Sequence, residues 1–489
     1  MHLIKRVGKL MWNFIYTEMK KNKDSVVFDK SHKYTYNEII SLVEEKANYL
    51  GNKLPEKSKC GILCEKGINT SIAIMACWKA NLIPIVMSFD YGDKHWERII
   101  ALTQPDIVIK DNENKTIYRS EFLFTENSFL GNFIRVIPDN TLDKVALIMC
   151  TSGTTGNPKG VLITTEALQK NVLSICKYFE IHSDDKILIA RPLYHCAVLT
   201  GEFLVGLFKG CDIGFFDEKY QPTQVLQFCV KNQISVLCGT PTLFNHLAMI
   251  IQRMNINHAV TTIALSGECL SRNVAEKIRM GFEKTKIYNV YGLTEAAPRV
   301  CYLPPEKFDE YPESVGIPIE SVEVKIVNEK GKDLLALQQG EIWVKTPCVM
   351  KGYYHDQKQT ADKIKGEWLL TGDIGFLDNQ GYLYILSRKD DLIIKGGMNI
   401  YPKEIENQVL QLHEIKECVA YGIKKFNFQE IGMDVVLDDQ YCNMGKKELL
   451  SLLGNELPGY QMPSQINIVK ELKRNASGKI VRNYDGGIK

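Results

Sequence analysis

From about residue 25 to about residue 300, short apolar runs alternate with stretches of helical periodicity. "YTYNEIISLVEEKANYLGNKL" predicts a helix that ends at Gly51. "KCGILCE" followed by "INTSIAIMACWKANLIPIVM" predicts strand, helix, strand. "ISVLCGTPTLFNHLAMI" and "TTIALSGECLSRNVAEKIRM" each predict a strand, a glycine-containing turn and a helix. Repeated units of this kind predict a parallel or mixed sheet with helices on both faces. Ligands of such folds bind beyond the carboxyl ends of the strands, where these turns lie.

After about residue 300 the pattern shifts to alternation. "SVEVKIVNEKGKDLL", "GEIWVK" and "GYLYILSRKDDLIIKG" predict antiparallel strands and hairpins. From about residue 390 a small α+β pattern follows: "NIYPKEIENQVLQL" places Pro402 near a helix start, "KECVAYGI" and "MDVVLDD" read as strands, and "KKELLSLLGNEL" as a helix. The expected fold class is therefore α/β. A large N-terminal domain with mixed sheets, flanking helices and a β-rich subdomain spans 1–389, and a small mobile α+β C-terminal domain spans 390–489. The tail "ASGKIVRNYDGGIK" is polar and glycine-containing, and predicts an exposed, mobile segment. There is no internal repeat and no low-complexity linker.

With 489 residues, 45% of them hydrophobic, the chain can fill more than one core. A net charge of +2 provides no global basic field, which argues against nucleic acid or an anionic membrane and for a small molecule as partner. The 14 cysteines are scattered singly, and no Cys-x-x-Cys occurs. Several sit in apolar runs, as reduced buried thiols of a cytosolic protein do. The nine histidines do not cluster with them, so a zinc site is not expected. The N-terminal "MHLIKRVGKLMWNFIYTEMKK" is amphipathic and broken by Lys5, Arg6 and Lys9, unlike a signal peptide. No apolar stretch reaches membrane-spanning length, and a cytoplasmic location is expected.

The stretch "CTSGTTGNPKGV", Cys150 to Val161, follows the apolar run "KVALIM" and can neither fill a helix nor build a core. Its glycines let successive N–H groups face one concavity and keep Cβ atoms away from a phosphate. Its hydroxyls add donors, and Lys159 adds a point charge. It is not a Walker A loop, because the glycine–lysine spacing differs and "VLIT" continues as a strand. The chain also lacks Gly-x-Gly-x-x-Gly, which disfavours protein kinases and the usual dinucleotide-binding enzymes.

The loop resembles the signature of the adenylate-forming superfamily, which comprises acyl-CoA synthetases, peptide-synthetase adenylation domains and firefly-type luciferases. "YGLTEAAP" (Tyr291 to Pro298), "GEIWVKTPCVMKGYY" (Gly340 to Tyr354), "LLTGD" (Leu369 to Asp373), "SRKDDLIIKGGMNIYPKEIE" (Ser387 to Glu406) and "NASGKIVR" (Asn475 to Arg482) follow in the family's order. The resemblance implies activation of a carboxylic acid with ATP to an acyl-adenylate, release of pyrophosphate, and displacement of AMP by a thiol.

It also implies residue roles. Thr151, Ser152, Gly153, Thr154, Thr155, Gly156 and Lys159 would hold the β- and γ-phosphates. Thr294 would touch the α-phosphate and Glu295 would bind Mg²⁺, although "LTEAA" alone also reads as a helix start capped by Thr294. Gly267 and Glu268 of "SGECL", with Asn289, Tyr291 and Gly292, would form the adenine site; Asp373 would hold the ribose hydroxyls and Arg388 would support the ribose or phosphate. Lys479 would bridge carboxylate and α-phosphate oxygens during adenylation. Asp390 matches the hinge about which the family's C-terminal domain rotates between half-reactions, and Gly396 and Gly397 would then line the thiol's channel.

"RPLYHCAVLTGE" matches the segment bordering the acyl site, where His195, Ala197 and Val198, with Gly239 and Thr240, would meet the substrate or thiol. Peptide-synthetase domains usually have an aspartate hereabouts for the α-ammonium. Here His195 is followed by Cys196, Ala197, Val198 and Leu199, so an acid without a free α-amino group, fatty or aromatic, is expected. The acceptor is either CoA or the phosphopantetheine of a carrier protein. A homologue that binds nucleotide without catalysis is the rival of a different class.

Overall fold

The computed structural model describes residues 7–88, 93–111, 120–123, 128–131, 139–152, 158–218, 221–395, 398–425, 428–474, 480 and 482. Contacts divide the chain into two compact units, Met1–Val324 with Trp343–Leu370, and Lys325–Ile342 with Thr371–Lys489.

Among the described residues the first unit holds two large sheets. In the nine-stranded sheet, six neighbouring strands run parallel, from Val26–Phe28 through Asp212–Phe215, Lys186–Ile189, Val236–Gly239 and Thr262–Leu265 to Lys286–Gly292. Arg299–Leu303 and Ile317–Pro318 continue it antiparallel at one end, and Lys33–Thr35 closes the other. The eight-stranded sheet sets Ile107–Lys110, Lys59–Leu63, Ile83–Val86 and Val145–Ser152 side by side in parallel, then adds Pro158–Thr164 and Gly352–Tyr353 antiparallel. The mixed α/β architecture is the one that the alternation of apolar runs and helical periodicity predicts.

Local chemistry explains the helices. Thr35 and Glu38 form a reciprocal capping box that starts Tyr36–Lys53. Its buried residues Ile39, Ile40, Val43, Ala47 and Leu50 recur at helical spacing. The helix does not end at Gly51: its last residues are Gly51, Asn52 and Lys53, and Gly51 is exposed, so the glycine costs only its own entropy, about 1 kcal/mol. Gly67–Lys79 is buried on nearly every side, and the Trp78 indole donates to the Ala146 carbonyl at 2.7 Å. One apolar cluster joins this helix to Val7–Lys21, Tyr36–Lys53, Thr165–Tyr178 and strands of both sheets. All 14 cysteines are free thiols and ten are buried, as their scatter through apolar runs predicts.

In the second unit, Ile415–Lys425 pairs antiparallel with Phe428–Leu437, which pairs parallel with Gln465–Ile468. Helices Pro402–Val409 and Lys446–Glu456 cover this sheet through Ile405, Val409, Leu449 and Leu453. The tail departs from its expected mobility at its described residues. Ile480 bridges to Arg474, and the Arg482 guanidinium grips both oxygens of buried Glu406. A basic residue that reads as solvated in the sequence is here the counter-ion of a carboxylate 76 positions earlier.

Candidate active site

The glycine- and threonine-rich stretch joins two antiparallel strands, Val145–Ser152 and Pro158–Thr164, with Thr151 opposite Lys159. Gly153, Thr154, Thr155 and Gly156 lie outside the described residues, as does the Ser152 side chain. Strand Gly352–Tyr353 adds to the far side of this hairpin, Tyr353 opposite Val161. That pairing places the Tyr353 ring 5.2 Å from the Lys159 ammonium, while the Tyr353 hydroxyl donates to Glu295 Oε1 at 2.8 Å. The Met350 N–H holds the Glu295 carbonyl at 2.8 Å. One tyrosine thus spans the gap between two motifs. Tyr353 stands inside a family stretch, yet "GYY" carries no chemical signal of its own in the sequence.

Glu295 is half-buried, and among the described residues it has no cationic partner. No cluster of three or more His, Cys, Asp or Glu able to hold a metal occurs among the described residues either. A single carboxylate beside the Thr294 hydroxyl suits a hard cation that takes its remaining ligands from phosphate oxygens and water. The residues present therefore fit Mg²⁺ bound together with a nucleotide. The "LTEAA" turn is not an α-helix start: Thr294–Ala296 is a single 3₁₀ turn inside an antiparallel hairpin, and its N-cap position is held by Leu293, not Thr294. The Leu293 N–H bonds back to the Pro298 carbonyl across the hairpin, and a Cβ on Gly292 would sit 2.2 Å from that same carbonyl oxygen. Asn171 straps the outgoing limb: its side-chain amide donates to the Arg299 carbonyl at 3.0 Å and accepts from the Arg299 N–H at 3.1 Å.

The expected adenine and substrate residues gather at the carboxyl ends of three adjacent parallel strands. Gly239 ends one, Gly267 and Glu268 follow the next, and Asn289, Tyr291 and Gly292 close the third. Their side chains differ in what they leave free. Thr240 caps helix Pro241–Met254 by accepting from the Leu243 N–H. Glu268 accepts from both the N–H and the hydroxyl of Thr242. Buried Asn289 donates to the Pro312 and Ser314 carbonyls. Tyr291 is half-buried at a register shift in its strand. Gly267 adopts φ +89°, a turn that glycine makes without strain.

His195 precedes the short helix Cys196–Val198, half-buried, with its ring 4.3 Å from that of Tyr194. Ala197 is half-buried, and Val198 is fully buried in the main core. A π-helical turn, Leu199–Leu204, follows. It carries buried Glu202, whose Oε1 accepts from Arg191 at 2.6 Å; Arg191 also donates to Ser266 at 3.1 Å. Burial raises the Glu202 carboxyl, and Arg191 and Arg299 oppose that rise.

In the second unit, Asp373 and Arg388 are cross-strand partners. Arg388 Nη1 bonds Asp373 Oδ1 at 2.7 Å, and buried Asp373 receives its backbone order from the Thr371 hydroxyl. Asp390 is exposed in the 3₁₀ turn Lys389–Asp391. Gly396, Gly397 and Lys479 lie outside the described residues.

The family model for "AMP-binding enzyme" matches residues 16–354, and that for "AMP-binding enzyme C-terminal domain" matches 404–479. The chain belongs to the AMP-binding enzymes. Feruloyl-CoA synthase of an Amycolatopsis species is 31% identical over 343 residues, covering 70% of this chain and 69% of that protein. 2-Succinylbenzoate–CoA ligase of Lactococcus lactis is 28% identical over 454 residues, covering 92% and 94%. Among solved structures, o-succinylbenzoate coenzyme A synthetase of Bacillus subtilis, in complex with ATP and magnesium ion, superposes with a TM-score of 0.84 at 26% identity, covering 96% of this chain and 98% of that one. As an AMP-binding enzyme the chain is an acid–thiol ligase: it forms an acyl-adenylate from ATP and a small carboxylic acid, then a thioester. Among the described residues no helix is long and apolar enough to cross a membrane.

Proposed function

We propose that this AMP-binding enzyme joins an aromatic or fatty carboxylic acid without a free α-amino group to coenzyme A. The observation that carries this reading is the Lys159–Tyr353–Glu295 chain. It holds a phosphate-binding cation and a metal-binding carboxylate in one fixed relation beside the strand ends. Attack of a carboxylate on ATP brings two anions together, and catalysis has to screen that repulsion while positioning both groups. In this reading Thr151, Lys159 and the loop between them bind the β- and γ-phosphates, and Thr294 orients the α-phosphate. Glu295 faces the cation; bound Mg²⁺ neutralises phosphate oxygens. Asp373 receives the ribose hydroxyls, aimed by Arg388. Lys479 bridges the reacting oxygens, and rotation about Asp390, where the 390–489 domain begins, exchanges it for the thiol channel at Gly396 and Gly397.

The acid class follows from the segment after His195. The buried acid of this segment, Glu202, is engaged by Arg191, so a substrate ammonium would lack a ready counter-ion. The named relatives act on aromatic acids and coenzyme A, which supports the same choice here. Pyrophosphate release across fatty, aromatic and amino acids tests the reading, followed by thioester formation with CoA and with holo-carrier proteins. Turnover confined to amino acids would overturn the acid assignment, and activity confined to holo-carriers would overturn the acceptor. Lys479→Ala is expected to abolish most adenylation yet spare thioester formation from supplied acyl-adenylate; equal loss of both half-reactions would refute the exchange of Lys479 on rotation.

A further inference from the structure

A buried arginine beside the segment bordering the acyl site has donors without acceptors among the described residues. Arg299 opens the strand after the Thr294–Ala296 turn and is only 6% exposed. Its side chain reaches the π-helical turn, where a Cβ on Gly201 would fall 2.8 Å from Nη2. Among the described residues its guanidinium has neither a hydrogen-bond acceptor nor an ion-pair partner, and its Nε is buried. The nearby carboxylate, Glu202, is held by Arg191 through Oε1, while its buried Oε2 has no hydrogen-bond partner among the described residues. Glu202 thus faces two guanidiniums, and only Arg191 bonds it.

The two segments that meet here are the two that flank the proposed chemistry. His195 to Glu202 borders the acyl site, and Arg299 lies four positions after Glu295. They pack together: burial pushes the Cys196 thiol up to about 12, and the Glu295 carboxylate adds to that rise. A buried charge without a counter-ion is costly, and a native structure that keeps one calls for an explanation. Asn171 clamps the Arg299 backbone from both sides, so the residue is held in place. A guanidinium presents a planar fork that matches a carboxylate by two parallel hydrogen bonds.

We infer that Arg299 receives a second carboxylate, at the end of the acid remote from the one that is activated, so that the substrate is a dicarboxylic acid. This rests on the acid-activation reading above and narrows it. An ammonium is disfavoured beside the Arg299 guanidinium, whose donors call for an acceptor. Arg299 is then a specificity determinant, removed from the reacting atoms.

Symmetrical diacids of graded length, each paired with its monomethyl ester, test the inference by pyrophosphate release. At the length that fits, the wild type should favour the diacid over its ester in kcat/KM by roughly a hundredfold, the loss that follows when a buried charge loses its partner. Arg299→Met should bring that ratio close to one while leaving turnover of the ester largely intact, and Arg299→Lys should keep part of it. Gly201→Ala, which displaces the tip of Arg299 without removing its charge, should lower the ratio in the same direction. No preference for diacids at any length in the wild type would overturn the inference. So would an equal loss on diacid and ester in Arg299→Met, because a purely structural arginine would behave that way. Silence with every monoacid and diacid, with ATP still bound, would instead overturn the acid-activation reading and this inference with it.

Discussion

Two buried carboxylates, one in each unit, meet arginines in opposite ways. Glu406 is 2% exposed, and both of its carboxylate oxygens are bonded. Arg482 grips both oxygens, Lys403 stands 3.4 Å away, and the Ala420 N–H donates at 2.9 Å. Burial alone would raise the Glu406 carboxyl; the Lys403 and Arg482 charges outweigh it and hold the group below its ordinary value. Glu202 is equally buried, yet one oxygen is bonded and the other is not, and burial wins, so its carboxyl is raised. The first arrangement closes on itself and ties the chain's tail to the small sheet. The second stays open: among the described residues the Arg299 guanidinium has no hydrogen-bond acceptor. A complete buried ion network fixes its members in one arrangement and is costly to break, whereas an incomplete one of the same residue types points to something that binds.

Breaking the closed network should give the largest effect. Arg482→Met leaves Glu406 buried with its main counter-ion gone, and about 3–5 kcal/mol of stability should be lost in chemical denaturation at neutral pH. The sign with pH is fixed by the direction of the shift. A lowered carboxyl contributes stability above its unfolded value and loses that contribution as pH falls through the folded one. The gap between wild type and Arg482→Met should therefore narrow on acidification. In contrast, Arg299→Met removes an unmatched charge and should change stability by no more than about 1 kcal/mol. A loss as large as that of Arg482→Met would make the two networks equivalent and erase the contrast.

Tyr353→Phe sharpens the comparison from the side of the chemistry. The ring beside Lys159 is kept, and the hydrogen bond to Glu295 is lost. Bonds to charged groups contribute about 1.5–3 kcal/mol, so pyrophosphate release should fall about tenfold or more, with a raised requirement for Mg²⁺. An unchanged Mg²⁺ dependence would reduce Tyr353 to a packing residue.

The smallest expected effect lies at Asp217. Burial raises its carboxyl to about 6, although it accepts from the Gly67 N–H at 2.9 Å. The folded state then holds this proton more tightly than the unfolded chain does. Its contribution is present at acid pH and is lost as pH rises from about 4 through the raised value. Asp217→Asn should flatten that part of the stability–pH profile; an unaltered slope between those values would show that another group is responsible.

Much of the fold was legible along the chain. The switch from strand–turn–helix units to alternating strands, the hairpin around the glycine-rich loop and the helix beginning at Pro402 all follow from local periodicity and turn chemistry. The misreadings share a cause. Gly51 stays helical because packing of Ile39, Val43 and Leu50 outweighs one glycine. "LTEAA" turns inside a hairpin because Gly292 permits Pro298 to approach. The tail is pinned at Arg482 because a carboxylate 76 positions away is buried beside it.

The sequence by itself determined the family, the reaction and the positions of the motifs, because those depend on residue types at short spacing. Only the tertiary structure decided how each side chain is used. It engages Asn289, Glu268 and Thr240 in holding neighbouring turns, joins Tyr353 to Glu295 across 58 positions, and leaves the buried Arg299 guanidinium without a hydrogen-bond acceptor among the described residues. Whether a polar group is satisfied depends on partners brought together by folding, and no local pattern along the chain records them.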